Sequence, residues 1–154
     1  MGLGGSFSGN LGDWWEYDIP SDTWTEKTSF IGANRHHPYQ FKIGEYIYVG
    51  SGHQSDWFRY DPANDSWTEI ASHPSYVRVA GIQFAYGGKG YTLSGVADYN
   101  GGNHEPMPTG EFWEYDPIDD SWTELPPHPG ESRWASASFV IDGWVYMVAG
   151  QVYD

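Results

Sequence analysis

Three of the four arginines in this 154-residue chain, Arg35, Arg78 and Arg133, stand 43 and 55 residues apart. A guanidinium is a permanent cation whose planar fork of donors matches a carboxylate. Brought to one place in a chain of net charge −14, three of them would concentrate positive charge, and the rest of the surface would steer acidic groups towards it. The same side chains would equally serve as stitching, each pairing with a carboxylate or a loop carbonyl of the adjacent structural unit and so joining the two. Both roles are open, and they are compatible.

Other reactive residue types give weaker signals. His36 and His37 are adjacent, and on a strand they would point to opposite faces and could not hold one ion together. His73 and His128 stand one 55-residue step apart, each beside a proline, which reads as structural. His37 has Ala80 and Ala135 as its counterparts, so its ring is expected near a crowded axis. The acidic groups Asp18 and Asp22, Asp61 and Asp65, and Asp116 with Asp119 and Asp120 resemble calcium loops superficially. Their recurrence in one kind of turn favours side-chain to backbone capping. No catalytic residue, metal ligand or cofactor is assigned.

The elements that position these residues follow from a repeat. Trp14-Trp15-Glu16-Tyr17-Asp18, Trp57-Phe58-Arg59-Tyr60-Asp61 and Phe112-Trp113-Glu114-Tyr115-Asp116 are each followed, seven residues after the Tyr, by Trp24, Trp67 or Trp122. Phe41, Phe84 and Phe139 keep the same register, as do Tyr48, Tyr91 and Tyr146 and Gly52, Gly95 and Gly150. One register accounts for 18 of the 28 aromatic residues, so the aromatic richness is mostly packing. Each unit reads as four short strands; in the third, these are 111–115, 122–125, 135–141 and 144–148, with Asp-Gly and Asp-Pro turns. Small residues such as Ala80, Gly81, Ala135, Ser136 and Ala137 suit crowded inner strands, and bulky Trp with charged Glu suits outer ones.

These residues resemble the Kelch motif: an Arg opening the unit, an apolar stretch, a Gly-bearing turn, a strand ending near Gly, then aromatic-x-Tyr-Asp and a Trp. The match runs from about Gly2 to Gly150 and departs at Gly50-Ser51-Gly52, Ser94-Gly95 and Ala149-Gly150, where Gly-Gly is usual. The resemblance implies an all-β propeller built from blades of four antiparallel strands, at a spacing on either side of the roughly 50-residue Kelch period. It also implies that the three arginines line a ligand pocket, as in Kelch domains that bind acidic peptides.

Residues 1–154 are expected to form a single half-propeller domain, with units 1–34 (partial), 35–77, 78–132 and 133–154 (partial). Two blades would be complete, and the two half-blades complement each other in kind. Propellers close with four to eight blades, and an open arc exposes strand edges. A homodimer giving six blades is therefore the leading architecture, with a longer array of the same repeats as its rival. Strand alternation puts the arginines and the long connection 96–110 on one face. The candidate ligand residues there are Arg35, Arg78, Arg133, His37, Tyr76, Tyr99, His104 and Trp134. Their expected ligand is an acidic peptide, a protein loop or a glycan.

Composition narrows the classes. The absence of cysteine excludes disulfides, thiolate chemistry and the Cys–Tyr copper centre of some Kelch enzymes. The acidic balance argues against nucleic acid and anionic membranes, which call for a basic face. No apolar run is long enough to span a membrane, and no charged-then-apolar leader is visible, so localisation is left unassigned. The expected function is a non-catalytic Kelch-type binding or assembly module. The alternative is a carbohydrate-active Kelch enzyme such as a sialic acid mutarotase.

Overall fold

The structure, a computed structural model, describes residues 5–6, 9–75, 78–99, 103–106 and 111–152, with side chains for 9–75, 78–96 and 111–152. All of its regular elements are strands. A short ladder, β1 (Gly5–Ser6) and β2 (Gly9–Asn10), precedes an antiparallel pair, β3 (Trp14–Asp18) and β4 (Thr23–Lys27). The first complete blade comprises β5 (Tyr39–Ile43), β6 (Tyr46–Gly50), β7 (Trp57–Asp61) and β8 (Ser66–Ile70), in that order. After β9 (Arg78–Val79), the second blade begins with β10 (Ile82–Tyr86) and β11 (Lys89–Leu93). It is interrupted by β12 (Val96–Tyr99) and β13 (Asn103–Pro106), and completed by β14 (Phe112–Asp116) and β15 (Ser121–Leu125). A final pair, β16 (Ala137–Ile141) and β17 (Trp144–Val148), supplies strands one and two of another blade.

Sequence explains these strands locally. In β5 the apolar Tyr39, Phe41 and Ile43 alternate with exposed Gln40 and Lys42, the period-two pattern of a half-buried strand. The hairpin turns Gly87-Gly88 and Asp142-Gly143 have positive φ at both residues, the type I′ geometry that matches strand twist. Gly90 answers a different demand: a Cβ there would collide with the Phe41 ring, which crosses from the preceding blade.

Aromatic side chains fill the spaces between blades. Trp14 and Phe30 pack with Phe58, Tyr60 and Trp67 at one junction; Phe41, Tyr48 and Trp57 pack with Tyr115 and Trp122 at the next. Hydrogen bonds repeat the same logic. Trp67 Nε1 donates to Thr28 O at 3.0 Å, and Trp122 Nε1 donates to Ala71 O at 2.9 Å, each reaching the end of the previous blade. The backbone N–H groups of Thr28 and Ala71 donate to Asp65 and Asp120, which also accept from Tyr60 and Tyr115. The capping reading of the acidic turns therefore holds for Asp61 and Asp116, which accept from Ala63 and Ile118 N–H. Asp65 and Asp120 do more, because they tie one blade to the next.

Two corrections concern connections. Residues 96–110 were expected to be a long loop, yet their described backbone is the β12–β13 hairpin, with β12 also paired to β9 (Val96 opposite Val79, Ala97 opposite Arg78). Asn100-Gly101-Gly102 between two extended runs is the hairpin signal that explains it. His36 and His37 lie in a bend rather than on a strand, and His37 has φ of 50°. Their rings are 4.9 Å apart, so the opposite-face argument does not apply.

Candidate functional site

Strand alternation brings the connections between strands two and three onto the same face as those entering strand one. On this face Arg35 is fully buried, its guanidinium clasped by both carboxylate oxygens of Asp56 at 2.7 and 3.0 Å. It also donates to Ser51 O and Ala33 O and lies over the Phe30 ring, 4.7 Å from its centroid. Arg78 is likewise fully buried, 2.6 Å from Oε2 of Glu111, which is itself almost fully buried. Arg133 is half-buried, and its Nε has no hydrogen-bond partner among the described residues.

Arg35 and Arg78 are thus each engaged by a carboxylate of their own blade, not by one from an adjacent blade, and neither guanidinium is exposed. Sequence reasoning missed the partners, although their signal was present: Asp13, Asp56 and Glu111 immediately precede Trp14, Trp57 and Phe112, in register with the arginines. Two of the three carboxylates have further work. Trp15 and Trp113 Nε1 donate to Asp13 and Glu111 at 2.7 Å, whereas Trp57 Nε1 donates to Ser51 Oγ.

A relay of backbone bonds links the successive entries to strand one. His37, Ala80 and Ala135 share left-handed φ values of 50°, 52° and 54°. Ala80 N–H donates to His37 O, and Ala135 N–H donates to Ala80 O at 2.7 Å. A second tier runs beside it, from Gly52 N–H to Arg78 O and from Gly95 N–H to Arg133 O. The exposed His37 side chain belongs to the first residue of this relay.

Beside it stands a polar group not singled out from sequence. Asn10 Oδ1 is 2.8 Å from His36 Nδ1, and Asn10 and Asn34 exchange amide-to-carbonyl bonds at 3.3 and 3.4 Å. Since the amide oxygen accepts, His36 Nδ1 carries the proton, leaving Nε2 to accept from His53 Nε2 at 2.8 Å. His53 has φ of 76°, which no repeat counterpart shares. Of the remaining candidates, Trp134 is half-buried and its backbone bridges Gln151. Tyr99 and His104 are at strand positions of the hairpin, and Tyr76 lies outside the described residues. Among the described residues, no three His, Asp or Glu side chains converge as a metal site.

The repeat-equivalent histidines face inward. His73 Nδ1 accepts from Ser75 N–H while its Nε2 is 3.1 Å from Thr92 Oγ1; His128 Nδ1 accepts from Gly130 N–H. Burial, reinforced by Arg78, lowers the His73 pKa to about 2. Burial and then Arg133 lower that of His128. Both are neutral packing groups at pH 7.

No family model matches the sequence, and no curated protein matches it. Among solved structures, that of YjhT superposes with a TM-score of 0.78 over 91% of this chain at 18% identity. The chain spans about half of that structure, 52% of its length. A likeness at this identity concerns the fold, and it is compatible with the Kelch-like propeller that the repeats resemble.

Proposed function

We propose that this chain is a non-catalytic binding or assembly module that contributes three blade-equivalents to a six-bladed ring, closed by a second copy or by further repeats of an array. The observation that carries this is the pair of unlike, complementary ends. One end bares strands one and two: Phe139 and Tyr146 are more than half exposed, whereas their counterparts Phe41 and Tyr48 are buried. The other end bares strands three and four, with Trp24 62% exposed against 9% for Trp67. Sedimentation equilibrium tests it, the expected result being a species of twice the chain mass or larger. A folded monomer at all concentrations would remove closure by a second copy and leave only the array.

Ligand recognition is proposed for the face carrying His36, His37, His53, Asn10 and Asn34, with the β12–β13 hairpin beside it. Imidazole and amide groups fixed by one another suit peptide or glycan hydroxyl and carbonyl groups. The buried state of Arg35 and Arg78 moves the anion preference off those two residues, and it lends no support to the carbohydrate-active enzyme alternative. An array of acidic peptides and glycans, probed with the parent chain and with His37→Ala/His53→Ala, tests the face. Unchanged binding of the best ligand by the folded variant would exclude these side chains.

A further inference from the structure

The junctions inside this chain show what an intact blade contact requires, and the open end lacks one piece of it. Trp67 lies 5.1 Å from Trp14 and 5.0 Å from Phe30, with its indole N–H on Thr28 O. Trp122 lies 5.0 Å from Trp57 and 4.6 Å from His73, with its indole N–H on Ala71 O. One repeat further on, these walls correspond to Phe112, His128 and Pro126. All three line an apolar pocket of about 260 Å³, together with Phe84, Leu93, Val145 and Met147. The pocket is the third seat of the same kind, and the first tryptophan of the series, Trp24, is the exposed one.

We propose that this pocket receives Trp24 of a second copy of the chain, and that Asp13 of that copy pairs with Arg133 across the same seam. The proposal rests on the assembly reading above and names its contacts. The ion pair follows from register, independently of the pocket. Arg35 pairs with the carboxylate preceding Trp57, and Arg78 with the one preceding Phe112. The remaining carboxylate of the series is Asp13, and the remaining arginine is Arg133. Glu111 holds the Trp113 indole on Oε1 and faces Arg78 with Oε2. Asp13 already holds the Trp15 indole on Oδ2, so its Oδ1 matches the oxygen that Glu111 offers to Arg78.

The seam is not a perfect copy of the internal junctions. Thr28 and Ala71 each donate an N–H to the Asp of the following blade, but their counterpart is Pro126, which has none. Asp22 of the second copy would therefore reach this junction without that donor, making the seam between copies weaker than those within a chain.

Sedimentation velocity over a concentration series decides the matter, applied to the parent chain, Trp24→Ala, Trp24→Phe, Asp13→Arg, Arg133→Asp, the double reversal and Pro126→Thr. Trp24→Ala should weaken dimerisation at least about a hundredfold, given what a buried Trp contributes, with Trp24→Phe intermediate. Each charge reversal should weaken it, and the double reversal should recover most of the loss. Pro126→Thr should tighten it roughly tenfold by restoring a charge-assisted donor. Trp24 is solvent-exposed in the single chain, so thermal melts of its variants below the dissociation constant should match the parent. A parent chain that stays monomeric overturns closure by a second copy and this seam with it. A dimer indifferent to Trp24→Ala, in which the double reversal rescues nothing, leaves assembly standing and overturns the seam. Species that grow without limit as concentration rises overturn the two-copy ring.

Discussion

Arg78 and Glu111 form a buried ion pair in which each side chain would be left charged and stranded without the other. Arg78→Ala is therefore expected to lower stability by about 3–5 kcal/mol, with Glu111→Ala similar and the double variant far less costly than their sum. Urea unfolding of the three variants measures this; additive losses would remove the pairing from the account of the blade. His73 gives a second residue-scale expectation. Its folded pKa lies near 2, below the ordinary 6.5, so the unfolded chain binds the extra proton and stability falls as pH drops from 6.5. Asp61, Asp65 and Asp116, held below the ordinary 3.8 chiefly by hydrogen bonds, contribute their loss only at lower pH still. Between those limits His73 should impose a slope of roughly 1.4 kcal/mol per pH unit. His73→Phe, the residue type Phe30 places at the equivalent seat, should leave only the share due to His128; an unchanged slope would refute the assignment. The register of the arginines was legible in sequence, whereas the acids beside the repeated aromatics, though in the same register, were passed over. Burial was not legible, because spacing places a residue in a blade without saying whether its head group meets solvent or a carboxylate from another connection.

Strands were the most legible elements, since aromatic register, Asp-Gly and Gly-Gly turns and period-two alternation all agreed on β5–β8 and their counterparts. The segment between β11 and β14 was misread because its length was weighed ahead of its Asn-Gly-Gly tip. As a hairpin it lies outside the blade proper: β11 pairs directly with β14, Leu93 opposite Phe112, whether or not β12 and β13 intervene. Deleting residues 98–109, which restores the shorter 43-residue step, should then leave strand content intact and shift the melting midpoint by only a few degrees, as surface insertions do. Circular dichroism melts check this, and collapse of the blade would show that the hairpin is part of its folding unit. The two bends holding His37 and His53 were illegible for another reason. A left-handed conformation at a non-glycine residue is imposed by neighbours, at His37 by the backbone relay to Ala80 and Ala135, and leaves no mark in residue type.

At the scale of the molecule, the described ion pairs and the ties between blades divide the labour cleanly. Arg35–Asp56, Arg78–Glu111 and Lys89–Glu114 each close inside one blade, whereas the links across blades include indole-, phenol- and hydroxyl-to-carbonyl, backbone-to-carboxylate and backbone-to-backbone bonds. This has a genetic consequence. Duplicating the codons for residues 35–77 would insert a whole blade without stranding a single buried charge, because the new Arg35 arrives with its own Asp56. Each Asp65 would also meet an N–H donor at the end of the preceding copy, Thr28 in one case and Ala71 in the other. A lineage carrying such a chain can change its blade number in one recombination event and still inherit a packed protein, leaving selection to act on how the ring closes.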